Sequence, residues 1–394
     1  MSASDTKIIR IVVVTHYFPS HGGGIERACE RLVSELAQTN QYEISWFASD
    51  CDALPASCKN VVFHSIASWN IIEANLRLPY PIWSLRGYLA LWKATKQADV
   101  VHLHDYIYLG SLIGFLAARL ASIPVVITQH IGFIPYKTNF ARKLLDTLNQ
   151  TIGRYCLSRA SAVVYVSQNV RDYFAKFLRR ASTGKLIPNG LDTKLFVPPT
   201  AEQRQTLRSA LPTSPGKPLM LFVGRFVEKK GMLILQQVAR ELNSYTWLFA
   251  GSGPINPKDW RLPNVHVLGA VPQTKLAGLY QAADLLVLPS KGEGFPLVVQ
   301  EAMACSTPAM VSAETAQALE GLSDLVIGVD VDGPESCSLW VDAIVVATSD
   351  LHNLSHVGKR SAAFAHNNWS WKRCAAEYGR LFTELRCRTE EPSD

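Results

Sequence analysis

The sequence predicts an α/β protein of two doubly wound domains whose parallel sheets face each other across a cleft. Three observations predict it. At 394 residues the chain is too long for one ordinary domain and suits two. Each half alternates short β-branched runs with amphipathic stretches, the pattern of parallel strands covered by helices. Over 187–199, Pro188, Asn189-Gly190 and Pro198-Pro199 interrupt both helix and strand and mark the join. Hydrophobic residues make up 48% and charged residues 18%, a balance that excludes disorder.

In the first half, 8–14, 42–48, 100–104, 124–129 and 162–166 read as strands, because their side chains are apolar on both faces. Between the first two, 26–37 reads as a helix with Leu32, Val33 and Leu36 on one face. The second half repeats the order with strands at 218–223, 246–250, 265–268, 285–289 and 307–312. A last amphipathic helix runs from Trp369 to Leu385. The domains implied are 1–196, 197–370, and a terminal helix and tail at 371–394. Sheets of this kind collect ligands beyond the carboxyl ends of their strands, so the loops after strands are where chemistry is expected.

The eight cysteines form no C-x-x-C pair and no zinc spacing, which predicts reduced thiols in a reducing compartment. The apolar run after Arg10 ends at once in Thr15 and His16, so no secretory peptide is expected, and the apolar stretch at 109–120 is too short to cross a bilayer. Residues 1–195 hold 21 Lys and Arg against 13 Asp and Glu, and 137–194 alone hold 11 against 3. This basic segment, interleaved with Phe140, Leu144, Tyr155, Tyr173 and Phe174, suits an anionic membrane surface or solvated helices. Nucleic acid is not expected as a partner, since no helix-turn-helix, zinc or aromatic RNA-binding motif is present.

Four loops carry candidate chemistry. The first strand runs through Tyr17 into Gly22-Gly23-Gly24 before a helix, where backbone N–H groups could meet an anion; a flexible turn fits as well, and the spacing is not G-x-G-x-x-G. His130 follows a strand end. Arg225 and Lys230 lie in GRFVEKKG after the first strand of the second half, a planar fork and a mobile charge that together suit a diphosphate or are simply solvated. The segment EGFPLVVQEAMA follows 285–289 and enters a helix at Pro296, placing Glu293 in the loop and Glu301 in the helix, two carboxylates able to accept sugar hydroxyls.

These motifs together resemble the retaining, nucleotide-sugar-dependent glycosyltransferases of the two-Rossmann-domain (GT-B) type, glycosyltransferase family 4, over almost the whole chain. The resemblance implies a hexosyltransferase (EC 2.4) moving sugar from a UDP- or GDP-sugar to a glycan, lipid-linked or small-molecule acceptor in surface polysaccharide or glycolipid synthesis, without a metal. It implies that Glu293 binds the transferred sugar, Glu301 the ribose, Arg225 and Lys230 the leaving diphosphate, and His130 the donor sugar near the reacting carbon. Gly23 and Gly24 approach the phosphate, backbone at Val271 meets the base, and Phe295 and Leu297 donate N–H groups. Tyr17, Tyr106, Phe133 and Tyr136 are the acceptor candidates. A cytoplasmic protein peripheral to the inner membrane face is the implied setting.

Two positions depart from the family pattern: Pro296 and Ser306 stand where many members have Gly. Asp330-Val331-Asp332 has a metal-binding D-x-D spacing but leads into Gly333-Pro334 and reads as a turn. His102 and His104, beside Asp105, read as shaping residues, and His352 with His356 as surface. Two other functions compete: a nucleotide-sugar-binding module without transfer activity, and a basic nucleic-acid-binding protein.

Overall fold

The computed structural model describes residues 8–55, 59–71, 73, 80–132, 139–178, 184–213, 216–291, 296–318, 322 and 324–390. The chain forms two compact units, Met1–Gly190 with Trp371–Asp394, and Leu191–Ser370.

The first unit contains β1 (Ile9–Val14), α1 (Gly24–Gln38), β2 (Tyr42–Ser49), β3 (Val61–Ile66), a short antiparallel hairpin of β4 (Ser68–Trp69) and β5 (Ile82–Trp83), and α2 (Leu85–Thr95). It continues with β6 (Val100–His104), α3 (Leu109–Leu120), β7 (Val125–Gln129), α4 (Asn139–Leu148), α5 (Arg154–Arg159), β8 (Ala162–Tyr165), α6 (Gln168–Ala175) and β9 (Lys185–Leu186). Seven parallel strands lie in the order β3-β2-β1-β6-β7-β8-β9, so the order reverses between β1 and β6. Ile11 and Val13 face one core layer and Val12 and Val14 the other, which is why the strand is apolar at every second position on both faces.

The second unit contains α7 (Ala201–Ser209), β10 (Leu219–Val223), α8 (Met232–Glu241), β11 (Thr246–Ala250), β12 (Val265–Gly269), α9 (Gln273–Ala282), β13 (Leu285–Leu288), α10 (Leu297–Ala304), β14 (Ala309–Ser312), α11 (Ala313–Ala318), β15 (Val326–Val329), α12 (Ser336–Ser349) and α13 (Leu351–Asn368). Its six parallel strands run β12-β11-β10-β13-β14-β15, reversing between β10 and β13. Every residue of β10, β11 and β13 is buried. Thr200 opens α7 with a capping box shared with Gln203. The last helix, α14 (Trp371–Glu390), packs on α1 and adds Tyr378, Leu381 and Phe382 to the core of the first unit.

The expected strands all form, with ends shifted by two residues at most. The sequence reading passes over β3, β9 and β15, which are edge strands or two-residue pairings with mixed burial and so lack a continuous apolar run. Among the described residues no helix is long and apolar enough to cross a membrane. The seven described cysteines are free thiols.

Candidate active site

In the second unit the loops after β10 and β13 flank the strand-order reversal, the position at which open α/β sheets bind ligands. Arg225 follows Gly224 and is exposed, and Lys230 ends a short 3₁₀ turn, Glu228–Lys230. Gly231 then takes φ +73°, where a Cβ would overlap the Pro289 carbonyl oxygen, so the basic loop lies directly against the end of β13. The Lys291 N–H donates to the Lys229 carbonyl at 2.8 Å and joins the two loops again. Phe226 N–H donates to Ser252 O at 2.8 Å and Ile255 N–H to Phe226 O at 3.0 Å, bracing the basic loop from the β11 side. Three backbone hydrogen bonds and the close approach of Gly231 to Pro289 thus brace the backbone of the Arg225–Lys230 loop before any ligand arrives.

Glu301 is 7% exposed on α10. Its Oε2 accepts from the Tyr280 hydroxyl at 2.9 Å and its Oε1 from Gln273 Nε2 at 3.2 Å. Burial and the adjacent carboxylate push the Tyr280 hydroxyl well above its ordinary pKa, so it stays a donor. A carboxylate offers about four lone-pair sites, so it can hold protein donors and ligand hydroxyls together. No sequence spacing marks Tyr280 or Gln273 as supports for Glu301; only the packing of α9 on α10 brings them there.

Pro296 is the N-cap of α10 rather than its first residue, and Leu297 begins the helix. The Val299 N–H already turns back to the Pro296 carbonyl at 3.0 Å. Val271 packs against the core in the turn between Gly269 and α9. Glu293 and Phe295 lie outside the described residues. Asp332 is exposed and ion-paired with Lys291, so the D-x-D segment is a surface turn.

In the first unit the loops after β1, β6 and β7 carry a buried polar cluster. His130 follows β7; its Nε2 lies 2.9 Å from His104 Nδ1, and its backbone N–H donates to Asp105 Oδ1 at 2.9 Å. Asp105 holds this position at φ +56°. Burial lowers the His130 imidazole to about 4 and His102 to about 3, drives His104 well below its ordinary value, and raises the Asp105 carboxyl to about 7. All three imidazoles are therefore neutral at pH 7. The sequence reading treats His102, His104 and Asp105 as shaping residues; His104 and Asp105 reach His130, whereas His102 Nε2 lies 2.8 Å from Thr128 Oγ1.

Gly23 is the N-cap of α1, and a Cβ there would overlap Glu26 Oε2. The Glu26 carboxylate lies over the helix N-terminus and pairs with His16 Nε2 at 2.8 Å, both side chains buried. Burial opposes its charge, but His16 outweighs that and keeps the Glu26 carboxyl below its usual range. Sequence reasoning missed this pair. Gly24 has open space where a Cβ would stand. Tyr17 is fully buried and its hydroxyl, with one proton to give, lies 2.6 Å from both Asn70 Oδ1 and Glu73 Oε2. Tyr106 is buried with its hydroxyl on Asn149. Phe133 and Tyr136 lie outside the described residues.

A sequence model described as Glycosyltransferase Family 4 matches residues 22–195, and one described as Glycosyl transferases group 1 matches 217–350. The chain belongs to glycosyltransferase family 4. It is similar to the GDP-mannose-dependent alpha-(1-6)-phosphatidylinositol monomannoside mannosyltransferase of Mycolicibacterium smegmatis, at 26% identity over 95% of this chain and 99% of that protein. It is also similar to the D-inositol 3-phosphate glycosyltransferase of Xylanimonas cellulosilytica, at 28% identity over 71% of this chain and 70% of that one. Among solved structures, sucrose-phosphate synthase from Thermosynechococcus elongatus superposes with a TM-score of 0.78 at 21% identity, covering 96% of this chain and 100% of that one. The family 4 member described here is therefore a glycosyltransferase of the hexosyltransferase class with the GT-B fold.

Proposed function

We propose that this glycosyltransferase takes its sugar from a nucleoside diphosphate sugar, with GDP-mannose the first donor to test, and transfers it with retention of anomeric configuration. The observation that carries the reading is the braced Arg225–Lys230 loop lying against the end of β13 at the strand-order reversal. Breaking the bond between the anomeric carbon and the diphosphate leaves negative charge on the phosphate, and the two cations carried on this braced backbone stabilise the leaving group without calling on a metal. Glu301, held by Tyr280 and Gln273, accepts the ribose hydroxyls, and Glu293 accepts those of the transferred sugar. Backbone at Val271 meets the base, and Leu297 offers an N–H to the phosphate.

In the first unit we assign His130 to the donor sugar as a neutral hydrogen-bonding group. Gly23 and Gly24 form the close-approach loop, with Tyr17, Tyr106, Phe133 and Tyr136 around the acceptor. Tyr17 and Tyr106 act there by shape, because their hydroxyls are committed to protein partners. The acceptor we propose is a lipid-linked or inositol-bearing glycan precursor in glycolipid or surface polysaccharide synthesis, by analogy with the mannosyltransferase that acts on phosphatidylinositol monomannoside. The setting is cytoplasmic, on the inner face of the membrane.

The test is incubation with GDP-mannose or UDP-glucose and a phosphatidylinositol acceptor, followed by NMR of the product. An α-linked product from the α-donor supports the reading. A β-linked product overturns retention, and binding of the donor without turnover on any acceptor favours a binding module.

A further inference from the structure

Helices α2, α3 and α5 lie on one side of the first sheet, where Leu91, Phe115, Ala118, Cys156 and Leu157 join a single core cluster. Helices α2 and α3 pack on each other, and Phe115 meets Tyr155 edge-on at 6.1 Å, so the three form one continuous layer. Residues four apart share a helix face. Opposite the buried stripe of α2 stand Leu85 and Leu89, 74% and 61% exposed; opposite that of α3 stand Leu116 and Leu120, 50% and 68% exposed. Leucines so exposed in paired stripes are unusual on a surface that meets only water.

Their neighbours are cations. Arg86 and Lys93 lie on α2, Arg119 on α3, and Arg154 and Arg159 on α5. The three helices contain no Asp or Glu. Asp99 and Asp105, the acids between α2 and α3, are taken up elsewhere, Asp99 by Arg10 at 2.9 Å and Asp105 by burial beside His130. Arg159 lies over the Tyr155 ring at 4.6 Å.

Apolar stripes edged by cations and free of acids match the headgroup zone of an anionic bilayer. A twofold pairing of the same face would set these cations against each other. We propose that the outer face of α2, α3 and α5 rests on an anionic lipid surface, with the leucines at headgroup depth and the cations over lipid phosphates. The inference rests on the lipid-linked acceptor proposed above, and it puts the contact mainly outside the basic segment 137–194, sharing only Arg154 and Arg159 with it.

The test is co-sedimentation of the full chain with vesicles of phosphatidylcholine alone or mixed with phosphatidylglycerol, at low and high salt. The parent should pellet with the anionic vesicles only, and salt should release it. Leu85→Gln with Leu89→Gln, and separately Lys93→Glu with Arg119→Glu, should each weaken pelleting by about tenfold or more, while Arg171→Glu on α6 with Lys176→Glu at its C-cap should not. Melting curves accompany each variant, and the charge pair, which alters no packing, decides the matter if the leucine pair unfolds early. Loss on the α6 variant alone overturns the proposal and moves the contact into 137–194. A parent that glycosylates a lipid acceptor but ignores vesicles overturns the face and leaves the acceptor reading standing. A dimer dispersed by the leucine pair, with no vesicle binding, overturns it in favour of self-association.

Discussion

Glu301 sits where a carboxylate needs donors, and the Tyr280 hydroxyl and the Gln273 amide both donate to it. Tyr280→Phe leaves a buried charged acceptor short of one bond, and urea unfolding should register a loss of about 2 kcal/mol. Donor KM should rise with it, since the remaining oxygen positions lose their orientation. Arg225→Ala and Lys230→Ala should each lower kcat about 10²- to 10³-fold in a transfer assay, the scale of removing one preorganised charge donor. Unchanged kcat in both would remove diphosphate stabilisation from this loop. Glu301, Arg225 and Lys230 were legible in the sequence because each stands at a fixed distance from a glycine-marked strand end. Tyr280, Gln273 and the His16–Glu26 pair were not, because they reach their partners across separate elements and no local spacing records that.

At the scale of elements, the strands buried on both faces could be read from composition alone, whereas the edge strand β3 could not, since half-exposed residues such as Val62 blur its pattern. Backbone conformation shows why glycine suits one of the two positions that depart from the family pattern, though nothing in it explains the serine found there. Ser306, after α10, holds φ +60°, the left-handed region that glycine enters freely and serine enters at a cost. Ser306→Gly should therefore raise unfolding free energy by about 0.5 kcal/mol, the left-handed cost less the added chain entropy. A clear loss of stability would show that the serine side chain contributes more than its backbone costs. Gly231→Ala should go the other way, since the new Cβ meets the Pro289 carbonyl in a positive-φ turn, and it should lower melting temperature and donor binding together.

The chain as a whole carries an acid liability written into the first unit. His102 at about 3 and His130 at about 4 are neutral when folded but titrate near 6.5 when unfolded, and His104 is shifted the same way. Between about pH 4 and 6.5 the unfolded chain therefore binds more protons at these sites, so their contribution to stability rises with pH there and is lost as pH falls. Asp105, raised to about 7, works in the opposite direction over pH 4 to 7 and offsets one of the three. Urea midpoints should fall steeply between pH 7 and 5, and His102→Asn should flatten the slope; a flat profile in the parent would mean that these imidazoles charge without unfolding. The sheet order, with reversals between β1 and β6 and between β10 and β13, places the polar clusters of both units at strand carboxyl ends. That much followed from strand-helix alternation, but the self-capped N-terminus of α1 did not, because it depends on how Glu26 folds back over Gly23.

Donor binding turns on the loop that carries Arg225 and Lys230, proposed above to hold the diphosphate. Calorimetric titration of GDP and UDP into the parent and into Arg225→Ala with Lys230→Ala tests it most directly. The better nucleotide should bind the double variant at least about 100-fold more weakly, with both proteins melting alike. Equal affinity in the two folded proteins would contradict it.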